Sequence, residues 1–135
     1  MSARRLYAYV EHIHQAATDI LSFIEGLSKD DFVADKRTQK AVIMCLVIIG
    51  EAASKVMDHY ANFVERNSRV PWRGMRGTRN RIAHGYFDIN LDVVWDTTQT
   101  AVPELLAQFP GLLRRAEVYE QALGPPSDDD AASKP

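Results

Sequence analysis

KRTQKAVIMCLVIIGEAASKVMDHY, residues 36–60, holds no proline and a single glycine, and it reads as one helix of about seven turns. Asp35 stands in front of it as an N-cap. Its middle, residues 41–53, is apolar all round. A helix that is hydrophobic on every side must be covered on every side, and the bundle that 135 residues can build covers about one face of it. The remaining face predicts a homodimer. Gly50 and Glu51 interrupt the run. A glycine in a helix interior costs about 1 kcal/mol relative to alanine, so Gly50 points to a close backbone crossing that a side chain would block. Glu51 follows on an otherwise apolar surface, where a carboxylate needs a partner. It either pairs with Arg79 or a neighbouring arginine, orienting it, or reaches solvent at the helix edge.

Working outward toward the N-terminus, Leu6, Val10, Ile13, Ala17, Ile20, Leu21 and Ile24 recur three or four apart, the spacing of one helix face over residues 4–25. Gly26 closes that helix. Ser28 then caps a short helical turn ending near Val33, with Asp30 and Asp31 at its positive end. In the other direction Pro71 and Trp72 open a helix that runs to about Ala83, with Pro71 in the first helical position and Gly85 as a left-handed stop. Asn90 caps a further helix from Leu91, whose buried positions are Val94, Trp95, Thr98, Val102, Leu105 and Leu106. Pro103 should kink it without ending it, Pro110-Gly111 should break it, and residues 112–123 should form a short amphipathic helix. The fold class is all-α, in one domain over residues 1–123. Residues 124–135, GPPSDDDAASKP, form an acidic, proline-rich tail with too little apolar surface to stay folded.

Charge is concentrated in residues 66–86, RNSRVPWRGMRGTRNRIAHGY, which contain Arg66, Arg69, Arg73, Arg76, Arg79 and Arg81 and no acidic residue. The whole chain has a net charge of −2. Without these six arginines it carries ten basic against eighteen acidic residues, or −8, so the basicity is local. That pattern excludes a generally positive surface and fits a polyanion steered to one spot. At 46% hydrophobic and 25% charged residues the composition is that of an ordinary globular domain. Cys45 has no partner for an internal disulfide and reads as a buried thiol, which fits a reducing compartment. The N-terminus lacks the apolar core of a signal peptide, and the longest apolar run is about half a membrane span, so the expected location is cytoplasmic and away from membranes.

Arginine can hold a phosphate by two hydrogen bonds, and histidine titrates near neutral pH and can exchange a proton. Together they suit metal-free RNA cleavage, in which a ribose 2′-OH attacks its own phosphate. Arg79 precedes His84 by five positions. On one intact helix Asn80 and His84 share a face, while Arg79 is turned aside by roughly 140°. Either His84 sits on a loosened last turn beside Gly85, or Arg79 and His84 meet across a dimer interface, where two His84 side chains would divide the roles of base and acid. No metal site is expected: His12 and His14 lie about 200° apart on a helix and His59 is isolated.

RNRIAHGYFDIN, preceded by IIGEAASKV and VPWRGMRG and followed by LDVVW, resembles the HEPN family, specifically the toxin of the HEPN/MNT toxin–antitoxin pairs, over residues 6–109. The resemblance implies an antiparallel four-helix bundle with short extra helices, homodimeric, with metal-independent endoribonuclease activity at a site between protomers and no cofactor. It implies that Arg79 and His84 are the catalytic pair, with Asn80 in the polar position after the arginine. It implies further that Tyr86 receives AMP from a partner nucleotidyltransferase, the antitoxin that silences the toxin; an added phosphate two residues from His84 would occupy the place of substrate phosphate. Read from the residues alone, Tyr86 is an aromatic packed on the helix end. Arg73, Arg76 and Arg81 lie outside the core motif and are either RNA-positioning residues or solvated ones. The competing reading is a non-catalytic module that holds a nucleotide or RNA for a partner nucleotidyltransferase.

Overall fold

The computed structural model of the protein describes residues 5–124. The tail expected over residues 124–135 lies outside the described residues except for Gly124. Among the described residues there are helices and no strands: α1 (Arg5–Ile24), α2 (Lys29–Ala34), α3 (Lys36–His59), α4 (Ala61–Arg66), α5 (Trp72–His84), α6 (Leu91–Gln99), α7 (Ala101–Ala107) and α8 (Phe109–Leu123), with a 3-10 turn over Tyr86–Asp88. The chain is all-α, as its apolar spacing predicts.

The α3 helix lies between α1 and α5 and packs extensively on both. The α1 residues Leu6, Val10, Ile13, Ala17, Ile20 and Ile24 are buried as their spacing requires, the leucine, valine and isoleucines contributing about 1.5–3 kcal/mol each. Gly26 takes φ +77°, a left-handed turn that L side chains avoid, and so ends α1. Ser28 caps α2 with a full capping box, its hydroxyl accepting from the Asp31 N–H and the Asp31 carboxylate accepting from the Ser28 N–H. Asp35 caps α3 by accepting from the Thr38 N–H at 3.2 Å and the Thr38 hydroxyl at 2.6 Å. Asn90 caps α6 through the N–H groups of Asp92 and Val93. Cys45 is buried, and that burial, with the Asp19 charge nearby, pushes its thiol pKa above the ordinary value.

Four local expectations are corrected. Pro71 occupies the N-cap position of α5 and Trp72 the first helical one. Gly85 has φ −140° and is no left-handed stop, because the chain passes directly into the 3-10 turn, in which the Asp88 N–H bonds the Gly85 carbonyl. The helix expected from Leu91 to Phe109 is divided at Thr100 into α6 and α7. In an unbroken helix the ring of Pro103 would clash with the carbonyl four residues earlier, that of Gln99, and α6 ends there. Pro110-Gly111, expected to break the chain, instead lies in the first turn of α8, where the missing proline N–H leaves nothing unpaired.

Two elements had no sequence signal. One is α4, which buries Phe63 and ends at Asn67, whose amide donates to the Phe63 carbonyl and whose carbonyl accepts from the Trp72 indole. The other is the buried carboxylate of Glu120 on α8, which accepts from the N–H groups of Leu6 and Tyr7 at 2.8 and 3.1 Å and so caps α1 from across the fold. With His14 stacked on Phe109 at 4.9 Å, this fixes α8 antiparallel to α1.

Candidate active site

The α5 helix runs antiparallel to α3, and its position is set by Gly50. A Cβ there would overlap Arg79 Cβ and lie 2.7 Å from the Met75 carbonyl oxygen. The close crossing expected of Gly50 is present, and it brings the α5 arginines over the polar end of α3. Arg79 Nη1 pairs with Glu51 Oε1, and Arg79 Nη2 donates to Ser54 Oγ at 3.1 Å. Arg76 Nε donates to the same hydroxyl at 2.9 Å, while Arg76 Nη2 reaches the Ser54 carbonyl and Asp58 Oδ1 at 3.2 and 2.6 Å. A hydroxyl oxygen has two lone pairs. Ser54, buried, offers one to each arginine.

Glu51 is paired as expected but not buried: its side chain is 53% exposed, against 24% for Arg79. The Arg79 guanidinium has five N–H donors, two of which are used here. Its Nε is buried without a hydrogen-bond partner. Two N–H groups remain on Nη1 and Nη2 for an incoming anion, held in orientation by Glu51 and Ser54. Ser54 was missed in the sequence, although its place three residues after Glu51 puts both on one face of α3.

His84 is the last residue of α5 and is exposed, as is Asn80 one turn before it. The helix is regular to its end, the Gly85 N–H bonding the Arg81 carbonyl at 2.9 Å. The loosened last turn therefore does not occur. Within one protomer Arg79 faces α3 while His84 points elsewhere. Tyr86 opens the 3-10 turn beyond, 47% exposed and edge-on to Phe87 at 5.8 Å, and Phe87 itself is 97% exposed. Arg81 is exposed and donates to the Thr78 hydroxyl at 3.2 Å, and Arg73 is exposed on the first turn of α5. Arg66 and Arg69 lie away from this group, near α8.

The apolar face of α3 left over for a partner is smaller than expected. Met44 and Ile48 are 58% and 40% exposed, while Val42, Ile43, Cys45, Leu46 and Ile49 are covered within the protomer. The exposed stripe continues along the helix to Glu51. Among the described residues no group of three or more His, Cys, Asp or Glu is placed to hold a metal ion, and no helix is long and apolar enough to cross a membrane. His12 and His59 are exposed and His14 packs on Phe109.

The family model described as Ribonuclease HepT-like matches residues 13–110, a span that takes in Glu51, Ser54, Arg79, His84 and Tyr86. The chain belongs to the HepT-like ribonuclease family. It is 36% identical over 104 residues, 77% of this chain and 92% of the relative, to a Thermococcus cleftensis protein whose name proposes a ribonuclease HepT. It is 35% identical over 107 residues, 79% and 93% of the two chains, to a protein of Caldanaerobacter subterraneus subsp. tengcongensis whose name proposes an RNase. A third relative, from Methanocaldococcus jannaschii and also named as a proposed RNase, is 32% identical over 117 residues, 87% and 94% of the two chains. No solved structure matches the chain. The resemblance to HEPN toxins, carried by residues 79–90 with the flanking IIGEAASKV, VPWRGMRG and LDVVW stretches, is consistent with membership in this HepT-like family.

Proposed function

We propose that the protein is the toxin of a toxin–antitoxin pair, a metal-independent endoribonuclease whose site is shared between two protomers. The observation that carries this reading is the placement of Arg79. It is oriented by Glu51 and Ser54, keeps two N–H groups for phosphate, and lies beside the exposed Met44–Ile48 stripe on which a second copy would pack. Arg79 of one protomer then faces His84 of the other, the arrangement that a regular α5 denies within one chain.

In that site His84 removes the proton from a ribose 2′-OH. The freed oxygen attacks the adjacent phosphorus, and Arg79 stabilises the charge that gathers on the phosphoryl oxygens. The bond to the 5′-oxygen breaks, that oxygen takes up a proton, and a 2′,3′-cyclic phosphate remains. Asn80, on the face of His84, holds the substrate or the imidazole in place, and Arg73 and Arg81 meet neighbouring phosphates. Arg76 serves differently: its bonds to Ser54 and Asp58 make it a brace for Ser54 more than a free phosphate ligand.

Tyr86 is the modification site. The phenol oxygen of this half-exposed side chain would attack the α-phosphorus of ATP bound to the partner nucleotidyltransferase, losing its proton and forming the Tyr–AMP bond as pyrophosphate leaves. The added charge beside His84 repels substrate phosphate. The test is cleavage of a mixed RNA by the purified protein in EDTA, beside His84→Ala. Cyclic phosphate ends from the wild type alone support the reading. An unmodified protein, checked by intact mass, that cuts nothing overturns it.

A further inference from the structure

Two arginines of the basic stretch, Arg66 and Arg69, take no part in the network around Ser54. With Arg115 of α8 they line a cleft of about 920 Å³ near the start of α5, the end opposite His84. Arg115 is built into this cleft. Its Nε donates to Asn67 Oδ1 at 2.6 Å, and Asn67 is buried and fixed in turn by Phe63 and Trp72. Gly111 lies close beneath it: a Cβ there would stand 2.7 Å from Arg115 Nη1, at the end of the flexible side chain. The Arg66 guanidinium lies 5.6 Å from the centroid of the Tyr119 ring.

Positive charge is in excess in the cleft. Arg76 and Arg79 are neutralised by Asp58 and Glu51, but among the described residues none of Arg66, Arg69 and Arg115 is ion-paired. Glu104 is the one carboxylate on the cleft wall, so three guanidiniums face one negative charge. A concave site in which guanidiniums outnumber carboxylates three to one favours an anion, and their planar forks match phosphate oxygens two at a time. Beside it a second cleft, of about 590 Å³, shares Arg66 and Arg115 and adds Arg114 and the half-buried Tyr119. Cations next to an aromatic ring suit a single nucleic-acid strand better than an acidic protein segment.

We propose that this cleft binds backbone phosphates of the RNA strand away from the bond that is cut. The inference rests on the reading of the protein as an RNA-cleaving enzyme. It makes α5 a ruler: thirteen residues, about 20 Å, separate the two ends, and the strand spans them.

The test is fluorescence anisotropy with a labelled single-stranded RNA over a salt series, in protein carrying His84→Ala so that the RNA survives. Replacing Arg66 and Arg69 together by Gln should weaken binding roughly tenfold and flatten the plot of log affinity against log salt by about 1.4, at about 0.7 for each phosphate that an arginine no longer neutralises. Glu104→Gln should act oppositely and tighten binding, which keeps the test open if the double variant fails to fold. Unchanged affinity and slope in both variants would overturn the proposal. So would a double variant that binds RNA normally but loses affinity for poly-aspartate, which would assign the cleft to an acidic protein. The two readings fail separately. If the wild type cuts no RNA while the double variant still loses RNA affinity, the catalytic reading falls and the cleft stands; normal cutting with unmoved binding removes the cleft alone.

Discussion

Gly50 lies directly beneath Arg79, so closely that the backbone of α3 and the stem of the arginine leave no space for a methyl group between them. The contact fixes both the distance between α3 and α5 and the point at which the guanidinium emerges. Gly50→Ala must push Met75 and Arg79 outward. The expected cost is about 1–3 kcal/mol, as for other overpacked core sites, offset in part by the better helix propensity of alanine. RNA cleavage should fall by more than the loss of folded protein accounts for. Thermal melting and cleavage measured on one preparation check this, and a variant of wild-type stability and activity would remove Gly50 from the account.

The Glu51–Arg79 pair separates orientation from stability. Glu51 is half exposed, so the pair contributes roughly 1 kcal/mol or less to folding. Its effect should appear in activity. Glu51→Gln is expected to melt close to the wild type and to cut RNA far more slowly, because the guanidinium loses the charge that holds it. A fully active Glu51→Ala would show that Ser54 alone suffices.

What the sequence discloses here is mostly local chemistry. Ser28, Asp35 and Asn90 cap helices within three residues of themselves, and Gly50 signals a crossing because a glycine has no other reason to stand in an apolar helix. The Glu51 pairing could be read because one carboxylate and a block of arginines were both short of partners. The bond between Asn67 and Arg115 spans 48 residues and the Glu120 cap of α1 spans 114, and neither leaves a periodic trace. Pro103 and Pro110 were misplaced because a proline marks a boundary without stating on which side it falls. The division of the six arginines was hidden for the same reason as α4: Arg66 ends α4 and Arg69 lies in the connection that follows it, before α5 begins, and neither the short helix nor the connection leaves a periodic trace.

Glu120 should matter to folding in proportion to its burial. It holds two N–H groups at the start of α1, and Leu6, which bears one of them, is fully buried. Glu120→Ala leaves those donors unmet and should cost about 1–3 kcal/mol. Glu120→Gln keeps one acceptor oxygen and should cost less. Denaturant unfolding of both variants distinguishes a cap from a solvated carboxylate, for which neither would move the midpoint.

Asp35 gives α3 a dependence on acid. The Thr38 hydroxyl and N–H hold its carboxyl below the ordinary value of 3.8. The folded chain therefore binds this proton less readily than the unfolded one. The contribution to stability is complete above the ordinary value and fades as pH falls through the lower, folded value. Thr38→Ala removes the strongest of these bonds, so its melting temperature should fall less between about pH 6 and about pH 2 than the wild type's does. Equal slopes would place the acid sensitivity elsewhere.

The proposed sharing of the site between two copies can be tested by complementation. If Arg79 of one protomer works with His84 of the other, Arg79→Ala and His84→Ala are each inactive alone, yet a dimer containing one of each has one intact site. With random exchange, half of the dimers are mixed and half of their sites are whole, so roughly a quarter of wild-type cleavage should return. A site built within one chain would regain nothing, because every protomer in the mixture lacks one residue. Adding Met44→Asp to both chains should abolish the recovery by charging the exposed stripe of α3, and sedimentation should show monomers. Recovery that persists in a monomeric mixture would defeat the dimer, and with it the arrangement of Arg79 against His84.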